Sequence, residues 1–77
     1  MQNLLDRITI DAAICHGKPC VRGLRYPVEW LLEMLSSGMT NQELLDDYGD
    51  LEAADLRAAQ AYGALIARSR RMAPARP

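Results

Sequence analysis

The fold is decided by residues 14–51, ICHGKPCVRGLRYPVEWLLEMLSSGMTNQELLDDYGDL. This stretch joins a glycine-punctuated arm that carries arginine to a capped helix-turn-helix. Pro27 suits the first position of a helix, because its ring fixes φ and its missing N–H is not needed there. Gly38 favours the left-handed backbone conformation with which a helix often ends. Between them, four apolar residues follow at helical spacing and form one stripe: Val28, Leu31, Leu32 and Leu35.

Two more helices are predicted after the first. Thr40 and Glu43 form a Thr-x-x-Glu capping box that opens the second helix, and Gly49 closes it. The predicted core side of the second helix consists of Leu44, Leu45 and Tyr48. The third helix is predicted from about Glu52 to about Arg70, with acids in the first turn and arginines in the last, as the helix dipole favours. Its predicted core side consists of Leu56, Ala59, Gly63 and Ile66.

The residues before the helices favour short strands. Residues 7–10 alternate polar and apolar side chains, and residues 20–22 can form a second strand that Gly23 ends. Strands this short are unstable alone, so the arm must lie against the helices or add to a strand of another copy. We therefore predict a mainly α fold, a three-helix helix-turn-helix domain with a short β-prone N-terminal arm. Its predicted parts are the arm at residues 1–26, the three-helix domain at residues 27–70 and a flexible basic tail at residues 71–77.

The length and composition favour a small protein that pairs with a second copy. A chain of 77 residues buries only about 60% of the surface that it exposes when unfolded. With no Phe and one Trp, its core depends on Leu, Ala and Ile, so we expect a homodimer. We find no apolar run of about 18 residues that could span a membrane and no signal-peptide pattern. We expect a cytoplasmic protein.

The net charge of −1 hides a strong separation of charge along the chain. Residues 1–25 carry four basic and two acidic residues, residues 26–56 carry eight acids and no base, and residues 57–77 carry five arginines and no acid. Such a pattern is often only a solvated surface. For nucleic-acid binding this pattern limits the possible contacts to the two basic ends of the chain, because attraction to phosphate supplies most of the non-specific affinity.

The two cysteines do not form a strong metal or catalytic pattern. In a reducing cytosol Cys15 and Cys20 are expected to be free thiols, although a disulfide between them stays open. Together with His16 they supply three soft ligands, and the chain has no other Cys or His to complete a closed zinc site. His16 has no plausible nucleophile partner, and Gly17-Lys18 lacks the spacing of a phosphate-binding loop. We predict no metal, no cofactor and no enzymatic activity.

Trp30 and Met34 do not fit the core assignment of the first helix. At about 100° per residue they fall on the side opposite Leu32 and Leu35. A Trp and a Met one turn apart can serve as a hydrophobic anchor for a partner. Alternatively, Tyr26 and Val21 of the same chain fold back over them.

Several short segments, taken in order, resemble a known family. They are Ile8-Thr9-Ile10-Asp11, Cys15-His16-Gly17-Lys18-Pro19, Arg22-Gly23-Leu24-Arg25, Pro27-Val28, Ser37-Gly38-Met39-Thr40, Asp47-Tyr48 and Asp55-Leu56-Arg57-Ala58-Ala59. Over roughly Arg7 to Tyr62 the chain resembles the small prokaryotic proteins called domain of unknown function 433. The resemblance implies a homeodomain-like helix-turn-helix fold. It also implies an antitoxin-type protein that neutralises a PIN-like nuclease toxin and binds operator DNA to regulate its own operon. The alternative is a protein-interaction module or dimerisation domain that does not bind DNA.

The charges at the start of the third helix oppose the usual mode of DNA binding. In a helix-turn-helix this end points at base edges, and here it carries Glu52 and Asp55. We therefore predict that these helices do not enter the major groove in the usual way. Three basic residues of the arm are the predicted nucleic-acid contacts: Lys18, Arg22 and Arg25. The alternative is that these three pair with acids of their own domain or of a second copy.

The C-terminal arginines are a second candidate for contact with the toxin. A PIN-like active site clusters carboxylates around a divalent metal, and arginine on a flexible segment could pair with those carboxylates. The predicted partner-binding residues are Trp30, Met34, Arg68, Arg70 and Arg71. The alternative for the arginines is a solvated basic end.

Overall fold

A computed structural model of the chain describes residues 3–69, which form three α-helices and two short strands. The helices are α1 (Val28–Ser36), α2 (Asn41–Asp47) and α3 (Ala53–Ser69). The strands are β1 (Ile8–Thr9) and β2 (Cys20–Val21), and single 3₁₀ turns span Leu4–Arg7 and Cys15–Gly17. The predicted mainly α fold with a β-prone arm is confirmed. The predicted tail, residues 71–77, lies outside the described residues.

The ends of α1 are set by local backbone chemistry. Pro27 is the residue before the helix, with φ −62° and ψ 142°, and not its first helical residue as predicted. At the other end, Gly38 takes φ 108°, as its missing Cβ allows. The Gly38 N–H donates to the Leu35 carbonyl at 3.1 Å, and the Met39 N–H donates to the Met34 carbonyl at 3.2 Å. This pair of bonds is a Schellman motif, which satisfies carbonyls that the helix end would leave free.

The predicted capping box of α2 is confirmed. The Thr40 hydroxyl accepts the Glu43 N–H at 3.1 Å, and a Glu43 carboxylate oxygen accepts the Thr40 N–H at 2.8 Å. The helix ends at Asp47, two residues before Gly49, so Gly49 lies in the turn to α3 and does not cap α2 directly. This five-residue turn completes the helix-turn-helix.

The core lies where the three helices and β2 meet. Its buried residues are Val21, Val28, Leu31, Leu44, Leu51, Leu56 and Ala59. The predicted core position of Ile66 is wrong, since 40% of this residue is exposed. Ile66 lies beside Val28 and Leu32 of α1 in a groove that opens to solvent, so α1 covers it only in part.

Gly63 lets α1 and α3 approach each other closely. A Cβ built on Gly63 would lie 2.9 Å from Cδ1 of Leu32, which is too close for two carbon atoms. Any larger residue would force the Leu32 side chain to move. Glycine therefore serves packing here, although it weakens the helix itself.

The arm packs on its own helices. β1 and β2 are antiparallel, with Ile8 opposite Val21 and Thr9 opposite Cys20. The strands are shorter than predicted, because Arg22 has φ 46° and turns the chain immediately after β2. The arm therefore lies against the helices of the same chain, which is the first of the two predicted arrangements. None of the helices in residues 3–69 is both long and apolar enough to cross a bilayer.

Candidate partner-binding site

A buried carboxylate joins the arm to the start of α3. The Asp55 side chain is fully buried. Its oxygens accept bonds from Arg22 Nε at 2.9 and 3.1 Å and from Arg22 Nη2 at 2.7 Å, a bidentate pairing. Arg7 Nη1 donates to Asp55 at 2.9 Å, and the Glu52 N–H donates to it at 2.9 Å. We call Asp55, Arg7 and Arg22 the arginine–aspartate cluster.

This cluster keeps Asp55 ionised. Burial alone would raise the pKa of Asp55, but the hydrogen bonds from Arg22, from the Glu52 N–H and from Arg7 outweigh it and hold the pKa below its ordinary value. The pKa of Arg7 is raised by its bonds to Glu52 and Asp55, and that of Arg22 by its bond to Asp55. The three charged groups therefore stay charged together near neutral pH.

The cluster corrects one premise of the sequence argument. Asp55 does not point outward from the start of α3, because both of its oxygens face the arm's arginines. Glu52 is exposed, but its carboxylate pairs with Arg7 at 2.9 Å. The two acids expected to repel phosphates are therefore paired with arginines of the arm. For Arg22 the structure shows the alternative arrangement, an ion pair inside its own domain.

Three aromatic side chains line an open pocket beside α1. Trp30 and Tyr26 are stacked with ring centroids 6.0 Å apart, and Tyr48 meets Trp30 edge-on at 5.1 Å. Such offset and edge-on contacts are the favoured geometries for aromatic pairs. The Tyr26 hydroxyl donates to the Asp50 carboxylate, and this bond raises the pKa of Tyr26. The pocket has a volume of about 390 Å³ and opens to solvent. We call it the aromatic pocket.

Charged side chains surround the aromatic pocket. Lys18 and Arg25, two of the predicted nucleic-acid contacts, line it together with Glu29 and Glu33. Lys18 Nζ lies 3.4 Å from a Glu29 carboxylate oxygen, and both side chains are more than half exposed, so the pair is weak. Within residues 3–69, Arg25 makes no salt bridge. The pocket thus brings Trp30, a predicted anchor, next to two predicted cationic contacts.

For Trp30 and Met34 the structure matches part of one of the two alternatives, cover by residues of the same chain. Both are half-buried and pack against the core, so this side of α1 is not bare. Tyr26 stacks on Trp30, as one alternative proposed, and Tyr48, which was not foreseen there, meets both rings edge-on. Val21 lies in the core. Met34 does not line the aromatic pocket.

The remaining predicted residues lie elsewhere. Arg68 is exposed near the end of α3, and Arg70 and Arg71 lie outside the described residues. Cys15 is half-buried and Cys20 is buried, and both are free thiols. In the described part of the chain, no three His, Cys, Asp or Glu side chains are grouped so that they could hold a metal ion.

Sequence reasoning missed the role of Asp55. Its partners Arg7 and Arg22 are 48 and 33 residues away, so no local pattern connects them. One local signal was present. Asp55 lies three residues after Glu52, the residue before α3. An acid at this position can accept the N–H of the residue before the helix, which is half of a capping box. That bond is present and turns the carboxylate back towards the protein.

The comparisons with known proteins agree with this fold. The family described as protein of unknown function (DUF433) matches residues 8–63. The chain belongs to the DUF433 family. A crystal structure of a DUF433 member protein from Anabaena variabilis ATCC 29413 is similar to it, with 33% sequence identity and a TM-score of 0.75. The match covers 82% of this chain and 62% of the Anabaena protein, so this chain spans less than two thirds of that length. A comparison with curated proteins finds no significant match.

Proposed function

We propose that this DUF433 protein is an antitoxin-type binding protein of the cytoplasm that neutralises a PIN-like nuclease. The observation that supports the proposal is the aromatic pocket, an open surface that Trp30 lines together with Lys18 and Arg25. Aromatic side chains with an arginine beside them are the residues that most often dominate binding energy at protein interfaces. In this proposal the protein binds its partner and catalyses no reaction.

The chemistry of the aromatic pocket fits an acidic partner. A PIN-like nuclease gathers carboxylates around a divalent metal, which gives its active face a negative charge. Arg25 has no acidic partner among residues 3–69, and Lys18 has only the exposed Glu29. Both cations are therefore free to pair with carboxylates of the nuclease, and an arginine can do so through two parallel bonds. The aromatic walls would take an apolar side chain of the same partner.

The contact with the nuclease can be tested by a matched pair of charge reversals. Arg25 and Arg57 are both exposed arginines without a salt bridge in the described residues, but only Arg25 lines the pocket. We expect Arg25→Glu to weaken binding to the nuclease encoded beside this gene at least tenfold, a loss of about 1.4 kcal/mol. Arg57→Glu is the control and should bind as the wild type does. Native mass spectrometry of the co-expressed pair and a nuclease assay report stoichiometry and inhibition.

Two results would overturn this proposal. Absence of any complex with the neighbouring nuclease would remove the antitoxin role. Equal losses for Arg25→Glu and Arg57→Glu would show that net charge, and not the aromatic pocket, determines binding.

The C-terminal arginines are the rival contact within the same function. Arg68 is exposed at the end of α3, and Arg70 and Arg71 follow it in the sequence. A chain that ends after Ala67 lacks all three. If the truncated protein inhibits the nuclease as well as the full chain does, these arginines are not required. If inhibition is lost while Arg25→Glu still inhibits, the C-terminus is the contact.

Binding of operator DNA is a second candidate function, and the arginine–aspartate cluster favours it. Because Asp55 is buried and Glu52 is paired with Arg7, the exposed side of α3 has no unpaired acid from these two residues. That side presents Arg57, which can contact a phosphate, and Gln60, which can pair with an adenine edge in a major groove. α2 remains acidic, so this binding would depend on the contacts of α3 and the arm.

The salt dependence of DNA binding shows whether the arm or α3 contacts the DNA. The probe is the duplex upstream of the gene, with affinity measured by fluorescence anisotropy at several salt concentrations. Loss of one phosphate contact lowers the slope of log affinity against log salt by about 0.9. We expect Arg57→Ala to lower this slope. A slope lowered by Lys18→Ala and Arg25→Ala, but not by Arg57→Ala, would favour the arm. Absence of DNA binding at low salt would exclude this function and favour a protein-interaction module that does not bind DNA.

A further inference from the structure

The two-stranded sheet of the arm has one free edge. β2 is occupied on both sides, since β1 pairs with one side and on the other the Val21 N–H donates to the Tyr26 carbonyl at 3.3 Å. Within residues 3–69 no strand pairs with the outer side of β1. The free edge therefore consists of the backbone of β1 and of Ile10, the residue that follows it.

The backbone of Ile10 faces away from β2. The Arg22 N–H donates to the Arg7 carbonyl at 2.6 Å, so Arg7 and, two residues later, Thr9 turn their backbone groups towards β2. In an antiparallel ladder alternate residues face opposite sides, which puts the N–H and the carbonyl of Ile10 at the free edge. Within the described residues neither group makes a backbone hydrogen bond. Ile10 thus offers one donor and one acceptor to a further strand.

The side chain of Ile10 is open as well. It is 64% exposed, the highest value among the exposed large hydrophobic residues in the described part of the chain. Ile8, Thr9 and Ile10 are all β-branched, the type of residue that strands favour. Because β2 begins at Cys20, opposite Thr9, Ile10 has no partner in the ladder. Proteins often protect an edge strand with Lys, Pro or a bulge, and none of these is present at residues 8–10.

We propose that two copies of this chain pair through β1, with Ile10 opposite Ile10 of the second copy, and join their arms into one antiparallel four-stranded sheet. In this register each Ile10 N–H donates to the other Ile10 carbonyl, and the two side chains contact each other across the new ladder. Thr9 of each copy lies opposite Asp11 of the other, so no like charges face each other directly. The inference does not depend on the proposed nuclease.

A second copy suits this edge because the pairing is self-complementary. A two-fold axis between the Ile10 residues gives each donor an acceptor of the same kind, as an isologous interface requires. A two-stranded sheet is only marginally stable, and two further strands stabilise it. The gain matters for a chain of 77 residues, whose own core is small. Ile10 does not line the aromatic pocket, so the pairing uses a different surface from the one proposed to bind the nuclease.

The first test measures the association of the full chain by sedimentation equilibrium. We expect the wild type to dimerise and Ile10→Lys to raise the dissociation constant at least about tenfold, because two isoleucine side chains lose their burial and two cations meet. Ile66→Lys is the matched control, since it adds the same charge at the other exposed large hydrophobic residue, which lies in α3 and is 40% exposed. It should dimerise as the wild type does. Circular dichroism checks that both variants are folded.

The second test needs no variant. In the proposed dimer the Ile10 N–H is hydrogen-bonded, so its exchange with deuterated solvent, followed by NMR, should slow as the concentration of wild-type protein rises through the dissociation constant. The Glu43 N–H, which is bonded to the Thr40 hydroxyl within the chain, is the internal control. Its exchange should not change with concentration.

Several results would overturn the inference. A wild type that stays monomeric at millimolar concentration would do so, as would a dimer in which exchange of the Ile10 N–H does not slow. Equal weakening by Ile66→Lys and Ile10→Lys would show that added charge, and not the edge of β1, determines association. Protection of the Ile10 N–H only after a PIN-like nuclease is added would assign this edge to the nuclease and not to a second copy.

Discussion

The arginine–aspartate cluster and the aromatic pocket lie where the arm meets the helices, but they use arginine in opposite ways. In the cluster, Arg22 forms a salt bridge with the Asp55 carboxylate, which is 0% exposed. In the pocket, Arg25 faces solvent without a salt bridge in the described residues. The two arginines are three residues apart in sequence. Arg22 is structural because its acid, Asp55, is buried, whereas Arg25 has no such acid and stays available to a partner. The number of charges nearby does not distinguish the two arginines.

The largest effect is expected from Asp55→Ala. This change leaves Arg7 and Arg22 without their shared acceptor, and breaking a buried pair by removing one partner costs about 3 kcal/mol or more. We expect the free energy of unfolding, measured by urea denaturation, to fall by about 3 kcal/mol. Glu52→Ala is the matched control, because it removes an exposed acid that pairs with the same Arg7. If both variants lost the same small amount, the cluster would be a surface ion pair.

A smaller effect, measured as a loss of affinity, is expected from Trp30→Ala. Removing an aromatic anchor from an interface costs about 2 kcal/mol, or roughly a 30-fold loss of affinity. Tyr62→Ala is the control, because Tyr62 is a half-buried aromatic outside the aromatic pocket. Isothermal calorimetry with the proposed nuclease partner measures both variants at a temperature where circular dichroism shows them folded. Equal affinities for the two variants would contradict a role for the aromatic pocket.

The stability of the cluster should depend on pH in one direction only. The pKa of Asp55 is lowered in the folded protein, so its stabilising contribution is complete above the ordinary value near 3.8 and is lost as the pH falls through the lowered value. We expect the difference in unfolding free energy between the wild type and Asp55→Asn to be constant from pH 7 to pH 5 and to shrink below about pH 4. Unfolding measured at each pH checks this. A difference that shrinks between pH 7 and pH 5 would contradict a lowered pKa.

The smallest effect is expected from Lys18→Ala. Its bond to Glu29 is 3.4 Å long and lies in solvent, so the free energy of unfolding should change by less than about 0.5 kcal/mol. Thermal unfolding at low and high salt measures the change. A larger loss that disappears at high salt would show that this pair contributes more than its exposure suggests.

The sequence predicted what depends on neighbouring residues and missed what depends on distant ones. The capping box of Thr40 and Glu43, the left-handed end at Gly38 and the apolar stripe of α1 are local, and all three are present. The pairing of Asp55 with Arg22 joins residues that only the tertiary fold brings together. The cover of Trp30 by Tyr48 is likewise a contact between two helices' ends. Charge counting alone could not divide the arm's cations into paired and free ones.

The most direct measurement compares Arg22→Ala with Arg25→Ala in two assays, the free energy of unfolding and the affinity for a PIN-like nuclease, the proposed partner. We expect Arg22→Ala to lower stability by about 2 kcal/mol, since it leaves Asp55 buried with one guanidinium fewer. Its affinity should match the wild type when it is folded. We expect Arg25→Ala to keep wild-type stability and to lose affinity. Equal changes in both assays for the two variants would contradict the division between a structural cluster and a binding pocket.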